Sequence, residues 1–187
     1  MKRIVILASG SGSNAENIAS YFKGSSTVEI TAILTNKKNA KVLERADRLG
    51  IAAFYFNREA FSNGESLVEI LKSLKPDLIV LAGFLWKIPS SLISAFPNKM
   101  INIHPALLPK YGGKGMYGMK VHQAVKENSE PETGITIHYV NENYDEGAII
   151  FQAKTAVKTS DSAHDIAEKV HQLEYEHFPK VIEKLLK

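Results

Sequence analysis

Asn102-Ile103-His104-Pro105 is the segment of this sequence best equipped for chemistry. Residues 99–103 read as a strand, and on a strand residues two apart face the same way. Asn102 and His104 therefore project together, while Ile103 points into the core. Pro105 biases His104 toward extended backbone and a fixed exit from the strand. An amide donor beside an imidazole can hydrogen-bond a developing oxyanion and move a proton. A structural histidine satisfied by a backbone carbonyl is the equal alternative on pattern alone.

A second candidate is Ser9-Gly10-Ser11-Gly12-Ser13-Asn14-Ala15, between a predicted strand and a predicted helix. Two glycines permit tight turns, and a helix N-terminus offers free N–H groups to an anion. The string fits a relaxed dinucleotide fingerprint, but residues 35–38, Thr-Asn-Lys-Lys, lack the acid that would hold a ribose. No Gly-Lys-Ser/Thr follows, so it is not a Walker loop. A monophosphate site fits better than a pyrophosphate site; a ligand-free turn is the bland alternative. A third polar stretch, Asn141-Glu142-Asn143-Tyr144-Asp145-Glu146-Gly147, lacks EF-hand spacing and by itself reads as a solvated acidic turn. Of the other histidines, His122, His164 and His177 fall on predicted helices as surface or capping residues, and His138 lies within a strand at a core or edge position. No His-x-x-x-His pair occurs, so no metal is expected.

These residues need a scaffold. Apolar runs at 4–7, 28–34, 51–56, 78–84 and 99–103 predict five strands. Helical spacing at 14–22, 40–49, 67–74 and 89–96 places helices between them. The alternation predicts an α/β fold: an open, mostly parallel, Rossmann-like sheet with helices on both faces. Residues 134–140 and 148–153 have no helix between them and should pair as a late antiparallel hairpin. Residues 162–186 form a long amphipathic helix that Pro179 should kink or divide. One domain, 1–187, is expected, with residues 1–100 as a phosphate-binding half and 101–187 as a catalytic half. In open parallel sheets ligands gather at the carboxyl ends of the strands, where both leading motifs fall.

The composition excludes whole classes. With 187 residues, 44% hydrophobic and 23% charged, the chain is an ordinary globular protein. Net charge is +3, so charge alone does not mark a polyanion binder; no nucleic-acid partner is expected. There is no cysteine, hence no disulfide and no thiolate nucleophile, which suits a reducing cytoplasm. The apolar run at 78–86 falls well short of the about 20 residues of a membrane helix, so no membrane partner is expected. Residues 4–8 are too few for a secretory signal, which leaves the chain unprocessed.

The motifs together resemble a family. Residues 8–14, Leu81-Ala82-Gly83-Phe84, Asn102-Ile103-His104-Pro105-Ala106-Leu107-Leu108-Pro109-Lys110-Tyr111 and Tyr144-Asp145-Glu146-Gly147 look, in order and over almost the whole chain, like the phosphoribosylglycinamide formyltransferase family of folate-dependent formyltransferases. The resemblance implies formyl transfer from 10-formyltetrahydrofolate, a cosubstrate, to the amine of glycinamide ribonucleotide in purine biosynthesis, without a metal. It implies Asn102, His104 and Asp145 as the catalytic trio. Gly12, Ser13 and Asn14 match phosphate-binding positions, and His171 and Glu174 match positions near the glycinamide end. Arg58, Leu85, Trp86, Lys87 and Ile88, with Asn102, match folate-contacting positions. Asn141, Glu142, Asn143 and Tyr144 match the loop around the pterin. Partners are then small molecules only, and the protein a monomer or homodimer.

Two departures stand out. Leu85-Trp86-Lys87 follows Ala82-Gly83-Phe84 where Met-Arg is common in the family, and residues 112–118, with four glycines in seven, exceed the usual loop, as a mobile lid over the nucleotide or, equally, a tolerated surface insertion without function. Two rivals share the domain. A formyltetrahydrofolate deformylase would carry an N-terminal regulatory domain, for which a first strand at Arg3 leaves no room. A methionyl-tRNA formyltransferase would carry a C-terminal RNA-binding domain, expected to be absent here. A catalytically dead folate- or nucleotide-binding module is the third alternative.

Overall fold

The β-branched run near the N-terminus is apolar on both sides because it becomes the middle of a covered sheet. In the computed structural model, which describes residues 1–63 and 65–187, the elements in order are β1 (Lys2–Leu7), α1 (Ser13–Tyr21), β2 (Val28–Thr35), α2 (Lys41–Leu49), β3 (Ala53–Tyr55), α3 (Arg58–Asn63), α4 (Glu65–Leu74), β4 (Leu78–Leu81), α5 (Ser90–Ala95), β5 (Met100–His104), α6 (Met119–Glu127), β6 (Glu132–Tyr139), β7 (Ile149–Ala156) and α7 (Ala163–Leu186). Seven strands form one sheet in the order β3-β2-β1-β4-β5-β6-β7. The first five are mutually parallel, and β6 and β7 add antiparallel to β5 and to each other. Among the described residues no helix is long and apolar enough to cross a membrane.

Alternate residues of β1 feed two cores. Ile4 and Ile6 pack with Ile18, Val170, Phe178 and Ile182 under α1 and α7. Val5 and Leu7 pack with Leu67, Leu71 and Leu92 under α4 and α5. All are under a tenth exposed, so each contributes about 1.5–3 kcal/mol of burial.

Three expectations need correction. The third strand spans only residues 53–55, all exposed; it is an edge with a single neighbour, and one ladder supports little length. The fourth strand stops at Leu81, because Gly83 turns left-handed with φ 73°. Of the two outcomes expected at Pro179, division does not occur: α7 runs continuously from Ala163 to Leu186. Proline lacks the N–H that would reach the Tyr175 carbonyl. That carbonyl accepts instead from Asn17 Nδ2 on α1 at 2.9 Å, so the lost bond is replaced from outside the helix. At its start α7 is fixed by a capping box between Ser162 and Asp165.

Candidate active site

A cavity of about 580 Å³ opens at the carboxyl ends of the parallel strands. It is lined by the loop after β1 (Ser9 to Asn14), Lys37 after β2, residues 82–85 after β4, residues 102–105 of β5 and its exit, residues 113–118, Tyr144 and Asp145, and His122, His171 and Glu174.

The glycine loop is held from outside. Gly12 caps α1 at φ 76°, a conformation that glycine takes without strain. The Gly10 carbonyl accepts from Val42 N at 3.2 Å, and the Ser11 carbonyl from Arg45 Nε at 2.8 Å. Arg45 is itself ion-paired with Glu16. With its carbonyls committed to α2, the loop has the free N–H groups of the first turn of α1 left to offer, and no side chain caps that turn. Ser9 Oγ accepts from Leu85 N at 3.0 Å, tying the loop to the turn after β4.

The second group is built across the first antiparallel ladder. Asn102 on β5 stands directly opposite His138 on β6, and cross-strand partners share a face. Asn102 Nδ2 lies 3.1 Å from His138 Nε2. His138 Nδ1 is 2.9 Å from the Tyr139 carbonyl; a carbonyl only accepts, so Nδ1 carries the proton and Nε2 takes the Asn102 amide hydrogen. Asn102 Nδ2 also donates to Asp145 Oδ1 at 3.4 Å. His104 Nε2 donates to the Tyr111 carbonyl at 2.7 Å, which leaves Nδ1 facing Asp145 Oδ2 across 3.5 Å. Asp145 Oδ2 accepts from Gly113 N at 2.9 Å.

Burial pushes His104 below the ordinary histidine value, offset in part by Asp145 and the Tyr111 carbonyl. Burial raises Asp145, but His138 and His104 beside it and the Gly113 N–H more than offset this, so its carboxyl lies below the usual range. A neutral imidazole therefore faces a carboxylate, with room for one proton between them. Asp145 is thus not part of a solvated turn: its side chain is 11% exposed, because its loop folds back over β5 and β6. His138, left open between core and edge by the sequence, is buried in this network. The alternation of Thr136 and His138 against Ile135 and Ile137 is the signal that marks its face.

Between these groups stand residues of α1, α6 and α7. Asn14 Nδ2 donates to Glu174 Oε2 at 2.9 Å. Glu174 is buried, and burial raises its carboxyl, partly offset by Asn14 and His171. His122 is not the surface residue expected; it is 2% exposed because α6 packs that face against α7. Its ring meets that of His171 edge-on, centroids 6.4 Å apart. Burial, then the neighbouring His171 and His104, lower its pKa to about 4. A histidine whose folded pKa is depressed stabilises the fold fully above its unfolded value, and that stability is lost as pH falls toward the folded value. Between about pH 6.5 and 4 the loss from this one group is roughly 3 kcal/mol. Chemical denaturation from pH 7 to pH 4 should show His122→Phe losing less stability than the parent; equal losses would remove His122 as the acid-sensitive group.

The positions matched to folate lie mostly outside this lining; Leu85, Asn102 and Tyr144 are within it. Arg58 sits over the Trp86 ring, 4.6 Å from its centroid. Trp86 packs on Phe61 at 5.1 Å, Ile88 is buried in the core under α4 and α5, and Lys87 is exposed. Asn141, Glu142 and Asn143 are exposed; Asn143 bonds Asn141 and Glu146 within their own loop. Among the described residues no group of three or more His, Cys, Asp or Glu is placed to hold a metal ion.

Residues 2–182 match the formyl transferase family. The chain is 36% identical to the phosphoribosylglycinamide formyltransferase of Bacillus subtilis, over its full length and 95% of the relative. It is 40% identical to the chloroplastic enzyme of that name from Arabidopsis thaliana, over 97% of this chain. It spans 64% of that plant protein's length and 61% of the Vigna unguiculata one. The crystal structure of glycinamide ribonucleotide transformylase 1 from Geobacillus kaustophilus superposes over all of both chains with a TM-score of 0.90 at 32% identity. Extent, order and fold agree, and the chain belongs to the formyl transferase family, among its phosphoribosylglycinamide formyltransferases.

Proposed function

We propose that this protein transfers the formyl group of 10-formyltetrahydrofolate to the amine of 5'-phosphoribosylglycinamide in purine biosynthesis, in the reducing cytoplasm that a cysteine-free chain suits. The observation that carries this is the meeting, in one cavity, of an anion-ready glycine loop and the Asn102–His104–Asp145 group. The substrate amine attacks the formyl carbon directly, so no protein nucleophile is required. The carbonyl oxygen becomes an oxyanion as the C–N bond forms. Asn102 can meet it with the hydrogen it now shares weakly with Asp145 at 3.4 Å, keeping its bond to His138. The amine must lose a proton and the departing folate nitrogen must gain one. His104 Nδ1 and Asp145 form the pair that can hold that proton in transit. Gly12, Ser13 and Asn14 bind the phosphate, Glu174 and His171 the nucleotide beyond it. The folate approaches from the side of Leu85 and Tyr144, with Arg58, Trp86, Lys87, Ile88 and residues 141–143 flanking it. Residues 113–118, which line the cavity, close over the nucleotide.

The test is an absorbance assay of folate product with and without the nucleotide. Turnover that requires the nucleotide supports the transferase. Turnover without it indicates a hydrolase, and no turnover a binding module.

Arg45 gives a second check, because it holds the loop without lining the cavity. Arg45→Gln releases the Ser11 carbonyl and should weaken the nucleotide about tenfold, leaving folate affinity unchanged. Calorimetric titration of each ligand decides it; equal weakening of both would remove the dedicated phosphate loop.

A further inference from the structure

On the proposed reading, one cavity residue has no task. His122 lines the cavity on α6 and is 2% exposed, yet its buried Nδ1 has no hydrogen-bond partner. Leaving a buried polar atom unpaired costs about 1–3 kcal/mol, and native proteins keep few such atoms. Asn14 Oδ1, in the same lining, is unpaired as well. The cavity thus has unmet hydrogen-bonding capacity on two of its walls, α1 and α6.

The position of His122 says what would meet it. On one side its ring lies edge-on to His171 of α7, one helical turn from Glu174 and its partner Asn14. His104 of β5 lines the same cavity, near enough that its protonated form would disfavour a proton on His122. A nucleotide with its phosphate on the glycine loop and its amine at Asn102 and His104 must pass between. The piece of it that links ribose to amine is the glycinamide arm, which carries one amide N–H and one C=O. An uncharged imidazole can both donate and accept, which suits a neutral amide.

We propose that His122 is a substrate-binding residue that hydrogen-bonds the glycinamide arm of the nucleotide and so sets which acceptor amines the site takes. Bond formation satisfies the imidazole and aims the amine at the formyl carbon. Orientation of that kind is a large source of rate in reactions between two bound substrates.

Two measurements on the full chain test it. The first is two-substrate kinetics of His122→Phe, which keeps a ring of similar size, and His122→Asn, which restores a polar group. The expected result is a KM for glycinamide ribonucleotide raised about tenfold in the Phe variant, an unchanged KM for folate, and partial recovery in the Asn variant. A purely structural role would move both KM values together or neither. The second is the imidazole nitrogen NMR signal of His122 in the parent protein, which does not depend on any variant folding. It should shift when glycinamide ribonucleotide is added and stay nearly fixed with ribose 5-phosphate, which has the phosphate and sugar but no arm. Equal shifts with both, or an unchanged nucleotide KM in the Phe variant, overturn the assignment while leaving the transferase reading intact. Failure of the parent protein to bind the nucleotide at all overturns both.

Discussion

His104→Ala and Asp145→Asn each lower kcat about 10²–10⁴-fold, the usual worth of a general acid–base group, and leave both KM values within a few-fold. On the proposed reading both residues face the reacting atoms rather than the ligands' distant handles, so their loss falls on the transition state. Asn102→Ala follows the same pattern through a lost oxyanion donor. The pH profile separates the roles. His104 acts from its neutral form, and burial sets its pKa below the ordinary value. Activity therefore holds as pH falls past 6.5, a standard histidine pKa, and drops only through the lowered value. Asp145 is the group that pulls His104 back up, so in Asp145→Asn the residual activity keeps its acid limb at still lower pH. A near-normal kcat in either variant, with circular dichroism unchanged, removes that residue from the mechanism. An acid limb that stays in place in Asp145→Asn breaks the coupling between them.

Much of this arrangement is legible in the chain before any coordinates. Period-two and helical spacings give the alternating elements, and the exit of β5 brings Asn102 and His104 to one face as alternation requires. What escapes is whatever depends on register or on the packing of distant elements. His138 meets Asn102 only because β6 pairs with β5 in one particular register, and a single strand carries no record of its partner's offset. His122 is buried only because α6 lies against α7, and a lone histidine on a nine-residue helix looks the same whichever face is covered. Pro179 does not divide α7, and Asn17, 162 positions earlier in the chain, supplies the missing donor. Asp145 reads as solvated until its loop folds back to Gly113. In each case the local rule is sound and a tertiary contact outweighs it.

Gly12→Ala is expected to weaken the nucleotide by on the order of 100-fold or more while folate binding stays within about twofold. Two costs combine. The residue sits at φ 76°, where an L side chain pays about 1–2 kcal/mol. An added Cβ would also lie 2.3 Å from Val42 Cγ2, 2.6 Å from its Cβ and 2.9 Å from its Cα. A turn about χ1 could move Cγ2, but Cβ and Cα are the stem and backbone of a fully buried residue near the start of α2 and no rotamer shifts them, and overpacking of that kind costs about 1–3 kcal/mol. The loop relieves both by moving away from α2, which breaks the Val42–Gly10 bond and displaces the N–H groups that would hold the phosphate. Folate, expected on the side of Leu85 and Tyr144, has no stake in that movement. Gly10→Ala is the control for stability: its φ is not positive and its Cβ would meet no atom within 4 Å, so its Tm should match the parent. Ser13→Ala and Asn14→Ala, each removing one donor to an anion, should cost about 1.5–3 kcal/mol apiece. Tm measurements and separate titrations of nucleotide and folate analogue give the answer. A Gly12→Ala protein that binds the nucleotide at parent affinity would show that the phosphate lies elsewhere.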